Sequence, residues 1–482
     1  MPSTARIDTF AAAPEPRMQT LLRLQQQAFR KDMNPSRELR LDRLARLERL
    51  LDADAEREFA DLIAQDFGNR SRIETVLAES IFTRSAIRHA RRHLKSWMKP
   101  RRAPTALTYQ PGRSYLLRQP LGSIGIISPW NYPLQLALAP LVGALAAGNR
   151  ALLKPSELTP RFSEVLQRRI ADAFAEDEVA VVTGDAEVGK AFAALPFDHL
   201  VFTGSTAVGR LVAQAAAKNL TPVTLELGGK SPAIVDASAN LALIADRIAF
   251  GKLLNAGQTC IAPDYVLVPR SRRDALVEAL RASVARMYPT IQGNPDYTSI
   301  VSDRHYRRLR ELVDDARARG AQAIELAPPG EHADPAARKL APTLLLDVDD
   351  GMRVMQEEIF GPLLPIVVAD GDEAIDYVNA HDRPLALYWF GEDRGVRERV
   401  LEQTIAGGVT VNDTLMHIAQ EALPFGGVGP SGQGHYHGEF GFRQFSKEKP
   451  VFIQSRFAGV RWLYPPYGPF TEKMLKLLAR VS

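Results

Sequence analysis

The chain has 482 residues, of which 45% are hydrophobic and 24% are charged, a composition typical of a globular enzyme with two or three domains. The formal net charge of +4 at pH 7 is too small to indicate a nucleic-acid-binding protein by itself. The only cysteine, Cys260, cannot form an internal disulfide, which excludes a disulfide-stapled secreted scaffold and makes the cytoplasm the expected compartment.

The first hundred residues are expected to be helical, because leucines recur every three or four positions among charged residues over 17–103. The N-terminal stretch has no apolar segment and does not resemble a signal peptide. Residues 84–102 contain eight Lys or Arg and no acidic residue. A nucleic-acid surface is one interpretation, but without a recognised binding motif a solvated or interdomain helix face is favoured.

Residues 119–149 carry no charged side chain, and a membrane-spanning helix is one interpretation of so long a stretch. Pro129, Pro133 and Pro140 argue against it, because a helix in lipid would have to satisfy the backbone groups that these prolines leave unpaired. A buried strand, a loop and a helix are therefore predicted here.

From about residue 105, short runs of Ile, Val and Leu alternate with helical stretches, which predicts a doubly wound parallel sheet. A second series begins near Ser231, so two α/β domains joined near residue 230 are expected. The proline-rich stretch 328–342 is expected to be a surface loop. The predicted strands are 123–128, 150–154, 179–184, 199–204, 222–227, 232–236, 265–269, 359–368, 386–391 and 407–412.

A phosphate-binding loop is expected in such a sheet, but GxGxxG is missing, and Thr224 stands where a P-loop requires its first glycine. The stretch FTGSTAVG remains, in which Gly204 and Ser205 follow a strand and Gly209 lies in the first turns of a helix. Backbone amides at such a helix N-terminus can hold a pyrophosphate, although an ordinary strand-to-helix turn has the same pattern.

Two further motifs end strands, at the edge where open α/β sheets bind ligands. In PWNYP, Asn131 stands between two prolines, and a turn satisfied by its own backbone is the alternative interpretation. In LLKPSE, Lys154 and Glu157 occupy the same edge, where ordinary surface charges are the alternative.

In chain order, the motifs PWNYP, KPSE, FTGST, ELGGKSP, GQTC, EEIFGP and LPFGGVGPSG resemble those of the aldehyde dehydrogenase superfamily between Leu121 and Ser446. The resemblance implies two doubly wound α/β domains. The NAD-binding domain would cover 1–228 and the catalytic domain 229–415. Residues 416–482 would return to the NAD-binding domain and end in a C-terminal tail at the oligomer contact or the substrate mouth. A small oligomerisation element is also implied, with a hairpin near 105–120.

The resemblance implies a catalytic role for three residues. Cys260 would be the nucleophile that forms a thiohemiacetal and then a thioester; a small buried apolar residue is the alternative interpretation. Asn131 would donate its amide to the oxyanion. Glu226 would activate the water that hydrolyses the thioester, and a structural ion pair is the alternative.

The cofactor that the resemblance implies is NAD, with NADP possible. Lys154 and Glu157 would contact the adenosine ribose, where the Glu157 carboxylate would repel the 2′-phosphate of NADP. Gly204, Ser205 and Gly209 would lie near the pyrophosphate. The other cofactor-binding residues implied are Trp130, Leu227, Glu358 and Phe360.

Residues 412–438 resemble the dimeric class-three branch of the family, and most closely its coniferyl aldehyde dehydrogenases. We therefore expect a homodimer that oxidises an aromatic or apolar aldehyde. Fatty or medium-chain aldehydes are the alternative substrates, and transfer of the acyl group to coenzyme A is the alternative reaction. His435 and His437 are too few to form a metal site, so no metal is expected. Residues 471–482 are too few to span a membrane, so no transmembrane segment is expected at the C-terminus.

Overall fold

The computed structural model describes residues 14–331, 334–457 and 459–481. Residues 1–13, on which the prediction of no signal peptide depends, lie outside the described residues. The helices are α1 (Pro14–Lys31), α2 (Arg37–Arg49), α3 (Ala53–Phe67), α4 (Arg72–Thr75), α5 (Phe82–Trp97), α6 (Pro133–Ala147), α7 (Pro160–Ala173), α8 (Ala186–Ala193), α9 (Thr206–Ala217), α10 (Leu241–Leu253), α11 (Arg273–Met287), α12 (Asp303–Ala318), α13 (Arg353–Gln356), α14 (Gly371–Asn379), α15 (Arg394–Gln403), α16 (Gly438–Gln444) and α17 (Pro469–Val481).

The strands fall into three sheets, and a π-helical turn, Val76–Ile81, joins α4 to α5. The strands are β1 (Arg101–Ala103), β2 (Arg113–Pro120), β3 (Ser123–Ile127), β4 (Arg150–Lys154), β5 (Val179–Val181), β6 (His199–Thr203), β7 (Val223–Glu226), β8 (Pro232–Val235), β9 (Tyr265–Val268), β10 (Gln322–Glu325), β11 (Thr343–Leu346), β12 (Leu363–Val368), β13 (Ala386–Phe390), β14 (Gly408–Val411), β15 (Gly432–Gln433) and β16 (Ser446–Ile453).

The first sheet has the order β15-β7-β6-β3-β4-β5, and all of its strands are parallel except β15. Helix α6 follows β3 and contains the apolar stretch that invited a membrane interpretation. Its residues 133–142 and 144–147 are buried, so the lack of charge reflects packing on every side of the helix. Among the described helices, none is long and apolar enough to cross a membrane.

The second sheet has the order β10-β11-β12-β9-β8-β13-β14, in which only β10 runs antiparallel to its neighbour. Sequence reasoning identified five of these strands and missed β10, β11 and the helix α12. It also began β12 at residue 359, whereas the strand begins at Leu363. Phe360 has a φ of 52°, a left-handed conformation that an extended strand cannot contain, so the EEIFGP motif is a loop.

The third sheet is antiparallel, with the order β1-β2-β16. Strand β16 pairs with β2 along its whole length, from Ser446 opposite Pro120 to Ile453 opposite Arg113. The chain after residue 446 thus packs on the hairpin predicted near 105–120, which the structure extends back to Arg101. A role of this hairpin in oligomerisation stays a prediction.

Part of the basic face of α5 pairs with acidic neighbours. Arg84 pairs with Glu56, and Arg88 and Arg91 both pair with Glu48. Three of the eight basic residues of 84–102 therefore have partners within the fold, and a nucleic-acid surface on this helix stays untested.

A fully buried ion pair anchors the start of α6. The Arg70 guanidinium lies 3.1 Å from the Glu79 carboxylate, and neither side chain is exposed to solvent. Glu79 also accepts hydrogen bonds from the backbone amides of Leu134 (2.7 Å) and Gln135 (3.1 Å), two of the amides that a helix N-terminus leaves unpaired. Arg70 donates to the carbonyl oxygen of Asn131 at 2.9 Å. The pair therefore fixes the PWNYP loop from both sides.

We predict that Glu79→Ala lowers the free energy of unfolding by about 3–5 kcal/mol, because it leaves the buried Arg70 charge without a partner. The matched control is Glu187→Ala, which breaks the exposed pair with Lys190 and should cost about 0–1 kcal/mol. Urea unfolding followed by circular dichroism measures both. Similar losses in the two variants would contradict the anchoring role.

Candidate active site

Cys260 follows a turn of left-handed backbone at the end of α10. Asn255, Ala256 and Gly257 have positive φ angles of 54°, 52° and 76°. Gly257 has a second reason to be glycine, because a Cβ there would lie 2.3 Å from the carbonyl oxygen of Gly361. The cysteine loop therefore packs directly against the EEIFGP loop.

Buried side-chain amides fix the cysteine loop in place. Asn255 Nδ2 donates to the carbonyl oxygens of Asn131 (3.0 Å) and Gln258 (3.1 Å). Gln258 Nε2 donates to the carbonyl oxygens of Asn255 and Ser299, and its Oε1 accepts from the Val301 amide at 3.0 Å. Asn131 Nδ2 donates to the Gln258 carbonyl oxygen at 3.2 Å. Since an amide nitrogen carries two hydrogens, this bond uses only one of those of Asn131.

Cys260 and Glu226 line one cavity of about 240 Å³. Cys260 is partly exposed, whereas Glu226 is buried at the C-terminal end of β7. Tyr132 and Thr259 also line the cavity, and their hydroxyls bond each other at 2.7 Å. The walls are otherwise mostly apolar and aromatic, with contributions from Leu77, Phe82, Phe250, Leu415, Met416 and Phe425.

Burial disfavours a charge on both candidate catalytic groups. It raises the pKa of the Glu226 carboxyl well above its usual range, and neither carboxyl oxygen has a hydrogen-bond partner among the described residues. Burial also raises the pKa of the Cys260 thiol, and the neighbouring Glu358 and Glu226 carboxylates raise it further. Burial thus favours the neutral thiol and the neutral carboxyl, and only an ionised Glu226 could accept the proton of Cys260.

A second cavity of about 830 Å³ lies at the C-terminal ends of β3, β4 and β6. The ammonium of the buried Lys154 lies 3.3 Å from Glu157 Oε2 across this edge. Thr203 lines both this cleft and the cavity around Cys260, so the two spaces meet there. The predicted cofactor residues that line the cleft are Trp130, Lys154, Glu157, Gly204 and Ser205.

Helix α9 begins at the cleft, and two further predicted cofactor residues, Gly209 and Leu227, lie where this helix packs on the sheet. Ser205 caps α9, accepting a hydrogen bond from the Val208 amide at 3.4 Å. Gly209 is buried in the same helix, where a Cβ would lie 2.5 Å from the Leu227 side chain. Leu227 itself lines the cavity around Cys260 rather than the cleft. Gly209 and Leu227 thus set how closely α9 approaches the sheet.

The last two predicted cofactor residues lie on the EEIFGP loop beside the cleft. The Phe360 ring packs edge-on against Trp130, with ring centroids 5.4 Å apart. The Glu358 carboxylate covers Gly228, where a Cβ would lie 1.9 Å from Oε2. Burial, and secondly the Asp264 carboxylate, raise the pKa of Glu358 to about 8.

Comparison with known proteins identifies the family. Residues 2–451 match the profile described as "Aldehyde dehydrogenase family". The chain belongs to the aldehyde dehydrogenase family. The resemblance that the seven motifs indicated is therefore confirmed, and the protein is an oxidoreductase that acts on aldehydes.

Individual relatives confirm the branch of the family. A "Probable coniferyl aldehyde dehydrogenase" of Caulobacter vibrioides is 52% identical over 465 residues, which cover 95% of this chain and 96% of the relative. A "Coniferyl aldehyde dehydrogenase" of Pseudomonas sp. strain HR199 is 50% identical, over 92% of both chains. The human "Aldehyde dehydrogenase family 3 member B1" is 41% identical, over 96% of this chain and 97% of the relative.

Solved structures confirm the fold. The substrate-bound state of AldH from Staphylococcus aureus superposes with a TM-score of 0.89 at 40% identity, covering 95% of this chain and 99% of that one. An indole-3-acetaldehyde dehydrogenase in complex with NAD⁺ superposes with a TM-score of 0.83 at 27% identity, covering 92% and 90% of the two chains.

Two residues of this aldehyde dehydrogenase that sequence reasoning missed are on α12. Arg308 donates to the carbonyl oxygens of Glu358 (3.2 Å) and Ile359, which holds the EEIFGP loop against the cleft. The His305 ring lies 5.2 Å from Trp130, and burial lowers its pKa to about 4, so it is neutral at pH 7. The three- and four-residue spacing of the buried residues of α12 was the available signal.

His435 and His437, the two histidines of the GHYHG stretch, have different environments. His437 is buried and lines the cavity around Cys260, whereas His435 is exposed. The described part of the chain contains no group of three His, Cys, Asp or Glu residues that could hold a metal ion. Glu421, which sequence reasoning also missed, lines the same cavity as His437, and burial raises its pKa to about 7.

We predict that Gly257→Ala lowers both kcat and the free energy of unfolding, because the added Cβ meets the Gly361 carbonyl oxygen. Gly330→Ala is the matched control, since Gly330 has a similar φ of 78° but no heavy atom within 4 Å of the added Cβ. The left-handed conformation should cost about 1–2 kcal/mol in both variants. Steady-state kinetics and urea unfolding measure the difference. Equal losses would show that packing against Gly361 is unimportant.

Proposed function

We propose that this aldehyde dehydrogenase oxidises an aromatic or otherwise apolar aldehyde, such as coniferaldehyde, to its carboxylic acid with NAD as the oxidant. The observation that carries the proposal is the apolar, aromatic cavity that holds Cys260 and Glu226 and meets the cleft at Thr203. The names of the relatives at 50% identity and above support an aromatic substrate.

Cys260 is the nucleophile in this proposal. Its thiolate attacks the aldehyde carbon, and the carbonyl oxygen becomes the oxyanion of a thiohemiacetal. The Cys260 backbone amide and the second N–H of Asn131 are the donors that we assign to this oxyanion. Asn131 is suited to the task because Arg70 and Asn255 both hold its carbonyl oxygen. One such donor is typically worth about 2.7–4 kcal/mol of barrier.

Glu226 is the general base in this proposal. After the hydride has left, the acyl group is a thioester on Cys260, and Glu226 removes a proton from the water that attacks it. The raised pKa of Glu226 supports this role, because a carboxyl that binds its proton tightly is a stronger base once ionised. The thiolate then departs and the acid product is released.

The residues of the cleft fit NAD. Lys154 and Glu157 are placed to hold the hydroxyls of the adenosine ribose, and the N-terminus of α9 at Ser205 suits a pyrophosphate. When bound there, NAD supplies the hydride acceptor. Glu157 favours NAD over NADP, because its carboxylate would lie against the 2′-phosphate.

We also propose that the protein is a cytoplasmic homodimer. Apolar side chains lie exposed on the third sheet and the turn beside it, including Tyr109 (52%), Phe452 (47%) and Ile453 (51%). Apolar side chains clustered on a surface are typical of a protein contact. The cytoplasm is supported by Cys260, since a reactive thiol needs a reducing compartment.

A fatty or medium-chain aldehyde is the second candidate substrate, because the same apolar walls would accept an alkyl chain. Transfer of the acyl group to coenzyme A is less well supported, because Glu226 lines the same cavity as Cys260 and favours water as the acceptor. A free acid formed without coenzyme A would exclude this reaction.

We predict that coniferaldehyde and cinnamaldehyde give a higher kcat/KM than hexanal, decanal or acetaldehyde, and that NAD supports faster turnover than NADP. Product acids are quantified by chromatography, because conjugated aldehydes absorb where NADH does. A higher kcat/KM for decanal would instead support fatty aldehydes as the substrates. Equal rates with NADP would remove Glu157 as the basis of cofactor choice.

We predict that Glu226→Gln still produces a burst of NADH of up to one equivalent and then nearly stops, because only hydrolysis needs the water-activating base. If Glu226 also deprotonates Cys260, the burst falls as well, and raising the pH restores it first because the thiol then ionises unaided. Stopped-flow absorbance with mass detection of an acyl adduct on Cys260 distinguishes the two cases.

Cys260→Ser is the control for this experiment, since it should bind NAD and give neither burst nor adduct. Steady turnover of Glu226→Gln equal to that of the parent enzyme, with no adduct at any pH, would make Glu226 a structural carboxyl.

A further inference from the structure

Two polar side chains of the substrate cavity, besides those already described, have buried atoms without a partner in the part of the chain that the structure describes. Glu421 Oε2 and His437 Nδ1 are both buried, and neither has a hydrogen-bond partner among the described residues. Thr203 Oγ1 is also unpartnered, but it lies where the cavity meets the cofactor cleft. Leaving a buried polar atom unpaired is costly, so such atoms indicate a missing partner.

The fold brings Glu421 and His437 together through Gly438. A Cβ at residue 438 would lie 2.1 Å from the carbonyl oxygen of Glu421, so the two segments touch backbone to backbone. His437 has a φ of 102°, a conformation that non-glycine residues rarely adopt. Phe425 stacks on the imidazole, with ring centroids 5.4 Å apart and planes 19° apart. The imidazole is therefore held in one orientation.

The two residues also lie at a particular place in the cavity. Together with Ala86 and Ala139 they line both the substrate cavity and a smaller cavity against Trp97 and Gly441. Thr203, where the substrate cavity meets the cofactor cleft, does not line that smaller cavity, so Glu421 and His437 lie on a different wall. A substrate whose aldehyde reaches Cys260 can thus present its other end to Glu421 and His437.

We propose that Glu421 and His437 bind a hydroxyl group on the far end of the substrate, and so select phenolic aldehydes over apolar aldehydes of the same shape. A phenol can donate its one hydrogen to Glu421 Oε2 and accept a hydrogen bond from His437 Nδ1 in the tautomer that carries its hydrogen on Nδ1. The aromatic side chains of Phe82, Phe250 and Phe425 would flank the ring. This inference rests on the proposed oxidation of aromatic aldehydes and specifies its substrate class.

The test compares 4-hydroxycinnamaldehyde with 4-methylcinnamaldehyde, whose methyl group is close to a hydroxyl in size but forms no hydrogen bond. The full-length enzyme with NAD is assayed at pH 7 by chromatography of the acids. We expect kcat/KM of the parent enzyme to favour the phenol by about 10- to 100-fold, because the methyl analogue would leave the buried Glu421 Oε2 without a partner. Glu421→Leu should bring this ratio close to one, and His437→Phe, which keeps the ring stacked on Phe425, should reduce it.

Gln420→Leu is the matched control, because Gln420 is exposed in the same segment and outside the cavity wall; it should keep the parent ratio. A ratio is compared within each variant, so a general loss of activity does not imitate the effect. No preference in the parent enzyme, or an unchanged ratio in Glu421→Leu, would overturn the inference. If Glu421→Leu does not fold, Glu421→Gln takes its place and should lower the kcat/KM ratio of phenol to analogue. A ratio near one in the parent enzyme refutes the inference in either case. Failure to oxidise either cinnamaldehyde would instead overturn the proposed function.

Discussion

The position of the proposed nucleophile depends on one buried hydrogen-bond junction around the carbonyl oxygen of Asn131. Arg70 donates to this oxygen at 2.9 Å and Asn255 at 3.0 Å. Arg70 is paired with Glu79, which also holds the first amides of α6. Segments far apart in the sequence are thereby joined: the helical N-terminal region, the PWNYP loop and the cysteine loop. Because hydrogen bonds join the PWNYP loop directly to the cysteine loop, Cys260 and the candidate oxyanion donor Asn131 keep a fixed relative position.

The apolar cavity makes it costly to ionise the two groups that the proposed reaction needs, Cys260 and Glu226. Walls that suit an aromatic substrate also withdraw water from Cys260 and Glu226, and this loss of solvation raises the pKa of both groups. Glu358, whose pKa rises to about 8, lies close enough to oppose the thiolate as well. Both groups are therefore held in their neutral forms, and the cost of ionising Glu226 must be met before it can take the proton of Cys260. Once that carboxylate has formed, proton transfer from the thiol leaves the total charge of the cavity unchanged.

The sequence predicted the parts of this structure that depend on local pattern. Apolar runs of four to six residues gave the central strands, and the short motifs placed Lys154 and Ser205 at strand ends and Cys260 in the loop after a helix. It did not reveal Arg308, Arg70 or Glu421, because each works through a partner more than eight residues away or on another element. The left-handed turn at Asn255 and Ala256 was equally invisible, since neither residue type demands a positive φ. Tertiary packing alone imposes it.

The glycine-rich LPFGGVGPSG segment links substrate choice to the candidate base. Its strand β15 places Gly432 opposite Glu226, and the Ser431 carbonyl oxygen accepts from the Leu227 amide at 3.1 Å. A Cβ at Gly427 would lie 2.1 Å from the Ser431 carbonyl oxygen, so the segment is closely packed. His437 follows five residues after Gly432 and forms part of the substrate wall. A change of backbone here would therefore displace Glu226 as well as the wall of the cavity.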